Sequence, residues 1–119
     1  DAIIYSDKSV DLFSPKTVRA TVGSLWHIPA VESVSIEDLM EFATEGEYAT
    51  YAFAGDGSAS LLDLPRSERE ILIFGNEARG LKDDIKGTER VSIEMPGNAE
   101  SLNLAAAAAI VMHEISRDK

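Results

Sequence analysis

The 119-residue sequence predicts an α/β domain in which a mainly parallel sheet of about five strands is flanked by helices. Three observations carry that expectation. Short apolar runs alternate with helical patterns along the chain. The run Ile71-Leu72-Ile73-Phe74 is apolar without polar alternation, as in a parallel strand covered on both faces. The final stretch then turns helical, with an alanine run that favours helix formation.

The elements follow in order. Residues 2–5 read as a strand already under way, and no initiator Met precedes them, so a fragment is expected. Ser14-Pro15 offers an N-cap followed by proline at the first helical position, opening a helix over 15–25. A strand is expected over 28–31. Ser35 with Asp38 makes a variant capping box for a helix to about residue 44, with Leu39, Met40, Phe42 and Ala43 as its apolar face. Residues 49–54 read as a strand running into the turn Gly55-Asp56-Gly57. Residues 90–93 form another short strand. Residues 101–117 form the last helix, with Leu102, Ala105, Ala106, Ala109, Ile110, Met112 and His113 near one face. With no repeat, low-complexity tract or linker, 1–119 reads as a single domain, and a chain of this length supports one core.

Composition excludes several classes. No apolar run approaches the roughly 20 residues that a membrane span requires, and the N terminus lacks the basic and apolar regions of a secretory signal. With no cysteine there is no disulfide framework, thiolate metal site or cysteine nucleophile, and a cytoplasmic setting is expected. His27 and His113 are the only histidines, so no metal is expected. Eleven Lys and Arg against 21 Asp and Glu give a formal charge of −10, which opposes nonspecific attraction to a polyanion and argues against a bare nucleic-acid-binding module.

Ligands of open α/β sheets collect beyond the carboxyl ends of the strands. Three segments stand there: Phe53-Ala54-Gly55-Asp56-Gly57, Gly75-Asn76-Glu77-Ala78-Arg79-Gly80-Leu81, and Glu94-Met95-Pro96-Gly97 leading to Ser101-Leu102-Asn103-Leu104. The second is not a phosphate-binding loop. Leu81 separates Gly80 from Lys82, no Ser or Thr follows that lysine, and Glu77 would face the phosphates. Each residue also has a plain structural reading. Gly75 and Gly80 can simply end a strand and start a turn. Ser101 can be the N-cap of the last helix, with Asn103 in its first turn. Glu77 and Arg79 can be an exposed pair, and Ile93, Met95 and Leu102 can be core. Trp26 reads as core, and His27 and His113 as structural or surface residues.

Gly75-Asn76-Glu77, Met95-Pro96-Gly97 and Ser101-Leu102-Asn103 together resemble, in order, the second and third motifs of the SpoU-type (TrmH-like) branch of the SPOUT RNA methyltransferases. Residues 11–20 and Gly23 resemble the segment that this family carries between its first and second motifs, so the resemblance spans nearly the whole chain. It implies a C-terminal trefoil knot, an exception to the usual avoidance of knots. It also implies S-adenosylmethionine as cofactor, held by Phe53, Gly75, Ile93, Met95 and Leu102. Glycine at Gly75 would let backbone approach such a ligand closely, and Ile93, Met95 and Leu102 could enclose an adenine and a thioether-like chain.

The resemblance further implies methylation of a ribose 2′-hydroxyl in tRNA or rRNA by a homodimer. Glu77, Ser101 and Asn103 would orient and hydrogen-bond beside the donor, and Lys16 and Arg19 would meet RNA phosphate. The family's catalytic arginine belongs to a first motif that would precede residue 1, so this chain alone is expected to be inactive. The competing expectations are a non-catalytic knotted module that binds RNA or a protein, and a generic nucleotide-binding domain, which the lack of a phosphate loop disfavours.

Overall fold

The computed structural model describes residues 1–6, 14–20, 26–75, 85, 87–97 and 102–117, the side chains of 17, 18 and 20 excepted. The chain divides into two compact units, Asp1–Phe42 and Ala43–Lys119.

In the first unit, β1 (Ile3–Ser6) pairs in parallel with β2 (Ala30–Val34), Ile3 opposite Ala30 and Ile4 opposite Val31. The register slips before Ser6 meets Val34, and Ser33 sits nearby with a φ of 57°. β2 begins two residues later than the sequence predicted. Pro29 has no amide hydrogen to give a ladder, and its carbonyl instead accepts from Ile3 N at 2.9 Å. Helix α1 (Pro15–Ala20) starts at the predicted proline, and the rest of its expected span, 21–25, lies outside the described residues. Trp26, expected in the core, is 68% exposed.

Helix α2 (Ile36–Glu45) opens as the capping box predicts, Ser35 Oγ accepting from Asp38 N at 3.1 Å. It buries the narrow i, i+4 pair Leu39 and Ala43, whereas Phe42, expected on the same face, is about half exposed. Its end is a Schellman motif: Tyr48 N donates to Ala43 O at 2.9 Å and Glu47 N to Thr44 O at 3.3 Å. The residue in the left-handed conformation is Glu47, with a φ of 55°, and not the neighbouring Gly46.

The second unit holds β3 (Ala49–Phe53), β4 (Ala59–Ser60), a 3-10 turn (Leu61–Asp63), β5 (Glu70–Phe74), β6 (Glu89–Ser92) and α3 (Leu104–Ser116). Its four strands lie in the order β4-β6-β3-β5, and every described pair is parallel. The expected parallel sheet thus appears as a two-stranded and a four-stranded sheet. β4 was not foreseen, since two residues carry no periodicity.

The core of this unit is Tyr51, Phe53, Leu61, Leu64, Val91, Val111 and Ile115, with Leu72, Phe74 and Ile93 packed against it. Helix α3 faces that core with Val111 and Ile115, while Ala105, Ala106, Ala109, Ile110, Met112 and His113, which the sequence groups near one face, are exposed. An alanine-rich helix has apolar groups all round and no unique stripe, so the pair of larger branched side chains at i, i+4 determines which side is buried. The helix is capped by Asn103 and not by Ser101: Asn103 Oδ1 accepts from Ala105 N at 2.9 Å and Ala106 N at 3.3 Å.

Candidate functional site

A row of four residues crosses the sheet where β5 and β3 end, β6 nears its end and β4 begins. Phe74 lies beside Phe53, Phe53 beside Val91, and Val91 beside Ala59. Because these strands are parallel, the chain leaves all of them on the same side, where open α/β sheets bind ligands. Phe53 is buried at 8% exposure and stacks on Phe74 with ring centroids 5.1 Å apart and an interplanar angle of 16°. Val91 is fully buried, and Ile93, two residues further on, packs against the same core. The result is an apolar floor beneath the points where residues 54, 75 and 93 emerge.

The segment after β3 has an uncommon path. Phe53 and Ala59 sit on opposite sides of Val91, so residues 54–58 must cover two strand spacings, roughly 10 Å. The chain of β6 continues past Ser92, and the connection therefore passes across it. Ala54 N donates to Val91 O at 2.9 Å, and Gly57 N donates back to Ala54 O at 3.1 Å. A methyl group at Gly57 would fall 2.6 Å from Ser92 N, 2.8 Å from Val91 Cα, and closer still to the Val91 carbonyl carbon. Only glycine allows this approach. On the far edge Ser92 Oγ donates to Ala59 O at 3.3 Å.

An ion pair ties the crossing down, with an Arg90 guanidinium nitrogen 2.6 Å from Asp56 Oδ1. The hydrogen bond from Arg90, reinforced by its charge, holds the Asp56 carboxyl below its ordinary pKa of 3.8. The sequence marks Gly55-Asp56-Gly57 as a turn in a segment placed for ligands, and it offers Asp56 no partner. Its partner lies 34 residues away, beyond the reach of any local signal.

Of the residues expected to hold a ligand, Phe53, Gly75 and Ile93 come together at this edge. Gly75 is half-buried just after the stacked Phe74, and Met95 is half-buried two residues after Ile93. Leu102 is 36% exposed directly before the Asn103 cap, and segment 98–101 joining it to Gly97 lies outside the described residues. Glu77 and Ser101 also lie outside them. Asn103 is described, and its side-chain oxygen is engaged with the first turn of α3. Lys16 and Arg19 are exposed on α1 in the first unit. Among the described residues no three His, Asp or Glu side chains gather as metal ligands, and no helix is long and apolar enough to cross a membrane.

A parallel sheet with helices defines an α/β domain, of the class that takes ligands at the carboxyl edge, and solved structures narrow the class. The chain superposes with a TM-score of 0.86 on a protein studied for 2′-OH methylation of C/U34 on tRNA, at 31% identity, covering 97% of this chain and 76% of that one. It superposes with a TM-score of 0.83 on the SpoU methyltransferase AviRb of Streptomyces viridochromogenes in complex with AdoMet, at 29% identity, covering 98% of this chain and 48% of that one. In sequence it is 35% identical over 117 residues to a 23S rRNA (guanosine(2553)-2′-O)-methyltransferase of Bacillus subtilis (strain 168), covering 97% of this chain and 47% of the relative.

The SpoU rRNA Methylase family matches residues 1–113, and the chain belongs to that family. It spans about half the length of the curated relatives it matches.

Proposed function

We propose that this chain forms the methyl-donor-binding part of an S-adenosylmethionine-dependent enzyme that methylates a ribose 2′-hydroxyl in tRNA or rRNA. The observation that carries the reading is the apolar rim of buried Phe53 and half-buried Gly75, Ile93 and Met95 at the carboxyl edge of a parallel sheet, in a chain of the SpoU family. The rim fits the group: an adenine ring and a thioether-like chain match apolar side chains, and residues beyond the strands offer main-chain polar groups. Leu102 completes the set in this reading. When bound, the donor supplies a methyl group on a positively charged sulfur.

The chain's own residues then hold and orient. Methyl transfer is an in-line displacement, so the rate comes chiefly from keeping the ribose hydroxyl aligned with the methyl group. Glu77, Ser101 and Asn103 take that orienting part. Since the Asn103 oxygen accepts from the helix amides, its contribution falls to the side-chain amide nitrogen. Lys16 and Arg19, both exposed, meet RNA phosphate. Cytoplasmic tRNA or rRNA is the substrate class, with no metal required.

Two further features belong to this reading. A trefoil knot is supported by the path of residues 54–58 across β6, which leaves β6 running beneath a short connection. Assembly as a homodimer is supported by the exposed apolar face of α3, including Ile110 at 42% and Met112 at 55% exposure.

Calorimetric titration of S-adenosylhomocysteine into the folded chain, with Leu102→Arg alongside, tests the proposal. Binding by the wild type that is lost in the variant supports the donor site. No heat from a folded wild type overturns it and favours a knotted module that binds RNA or protein without methylating.

A further inference from the structure

We propose that Asp56, Gly57 and Arg90 form a latch that holds the 54–58 crossing flat on β6 and thereby positions the rim between Phe53 and Ile93 for the methyl donor. The inference rests on the donor-site reading above and assigns these three as positioning residues.

Three observations support it. The crossing begins at Phe53, and the segment it covers, Val91-Ser92, runs directly into Ile93, so any lift of the loop changes the spacing of two rim residues. Gly57 lies so close to the β6 backbone that a side chain there would push the loop away. The Asp56 and Arg90 side chains meet at 2.6 Å across the loop and the strand beneath it. Main-chain bonds anchor both ends of the crossing, Ala54 N to Val91 O and β4 to β6, leaving its middle to the ion pair and the close packing at Gly57.

The Asp56 side chain is 71% exposed and that of Arg90 25% exposed, and such a pair adds little to global stability. Its removal is therefore read in ligand affinity and not in the melting temperature.

The experiment is the titration of S-adenosylhomocysteine into wild type, Asp56→Asn, Gly57→Ala and the charge-reversed double variant Asp56→Arg with Arg90→Asp, each with its melting curve. Asp56→Asn is expected to weaken binding by about threefold, within what a largely exposed ion pair can bias the position of the loop. Its melting temperature should move by less than about 4 °C. The double variant should recover most of the affinity. Gly57→Ala should weaken binding further, and if it fails to fold, Asp56→Asn decides alone. Unchanged affinity in Asp56→Asn beside a binding wild type overturns the latch and leaves the donor site standing. A wild type that binds nothing overturns the donor-site reading and the latch with it.

Discussion

Phe53 and Phe74, at the carboxyl ends of neighbouring parallel strands, stack 5.1 Å apart directly beneath the points where Ala54 and Gly75 leave the sheet. The stack joins the core of the second unit to the floor of the candidate site, so one substitution should register in both. Phe53→Ala is expected to destabilise by about 3 kcal/mol, the low end for a buried aromatic truncation. It should also abolish S-adenosylhomocysteine binding under conditions where the variant is still folded. Urea unfolding and calorimetry on the same sample check the two effects, and binding that survives the substitution would remove Phe53 from the site.

Tyr51 gives a pH-dependent prediction. Its hydroxyl donates to Pro65 O at 2.8 Å, and burial, with Glu70 and Glu89 adding negative charge nearby, raises its pKa above the ordinary 10.0. The folded state thus favours the neutral phenol more than the unfolded chain does. That contribution is fully present below pH 10 and is lost as pH rises through the raised folded value. Tyr51→Phe should cost about 1 kcal/mol at neutral pH and should flatten the alkaline fall in stability. Urea midpoints measured across the alkaline range test the slope, and an unaltered slope would assign it to other groups.

Glu47 offers a stabilising change. It occupies the left-handed position of the Schellman motif that ends α2, where a β-carbon is unfavourable. Glu47→Gly should raise stability by up to about 1 kcal/mol. A lower melting temperature would mean that the carboxylate makes a compensating contact.

Asn103 combines a structural part with a proposed functional one, and two variants separate them. Asn103→Ala should lose about 1 kcal/mol through the missing cap. Asn103→Asp keeps a cap oxygen and places a negative charge at a helix N terminus, so stability should hold. It removes the amide nitrogen, and RNA methylation by the whole enzyme should therefore fall at least about tenfold. Full activity in Asn103→Asp would reduce Asn103 to a cap.

Much of this protein is legible in its sequence because the signals are local. The Ser14-Pro15 start, the Ser35–Asp38 cap and the unbroken apolar run 71–74 each express a constraint within a few residues, and each element appears where those signals place it. The ordered motifs at Gly75, Met95 and Leu102 point to the family, and the family match over residues 1–113 bears that out. Tertiary structure settled what depends on distant partners. It chose Val111 and Ile115 as the inner face of α3, since helix periodicity alone cannot rank the sides of an alanine-rich helix. It placed β4 on the far side of β6, because two residues become a strand only when a ladder is already there to receive them. It brought Gly57 onto Val91 and Asp56 onto Arg90, contacts between segments more than thirty residues apart whose cause is the path of the chain across the sheet.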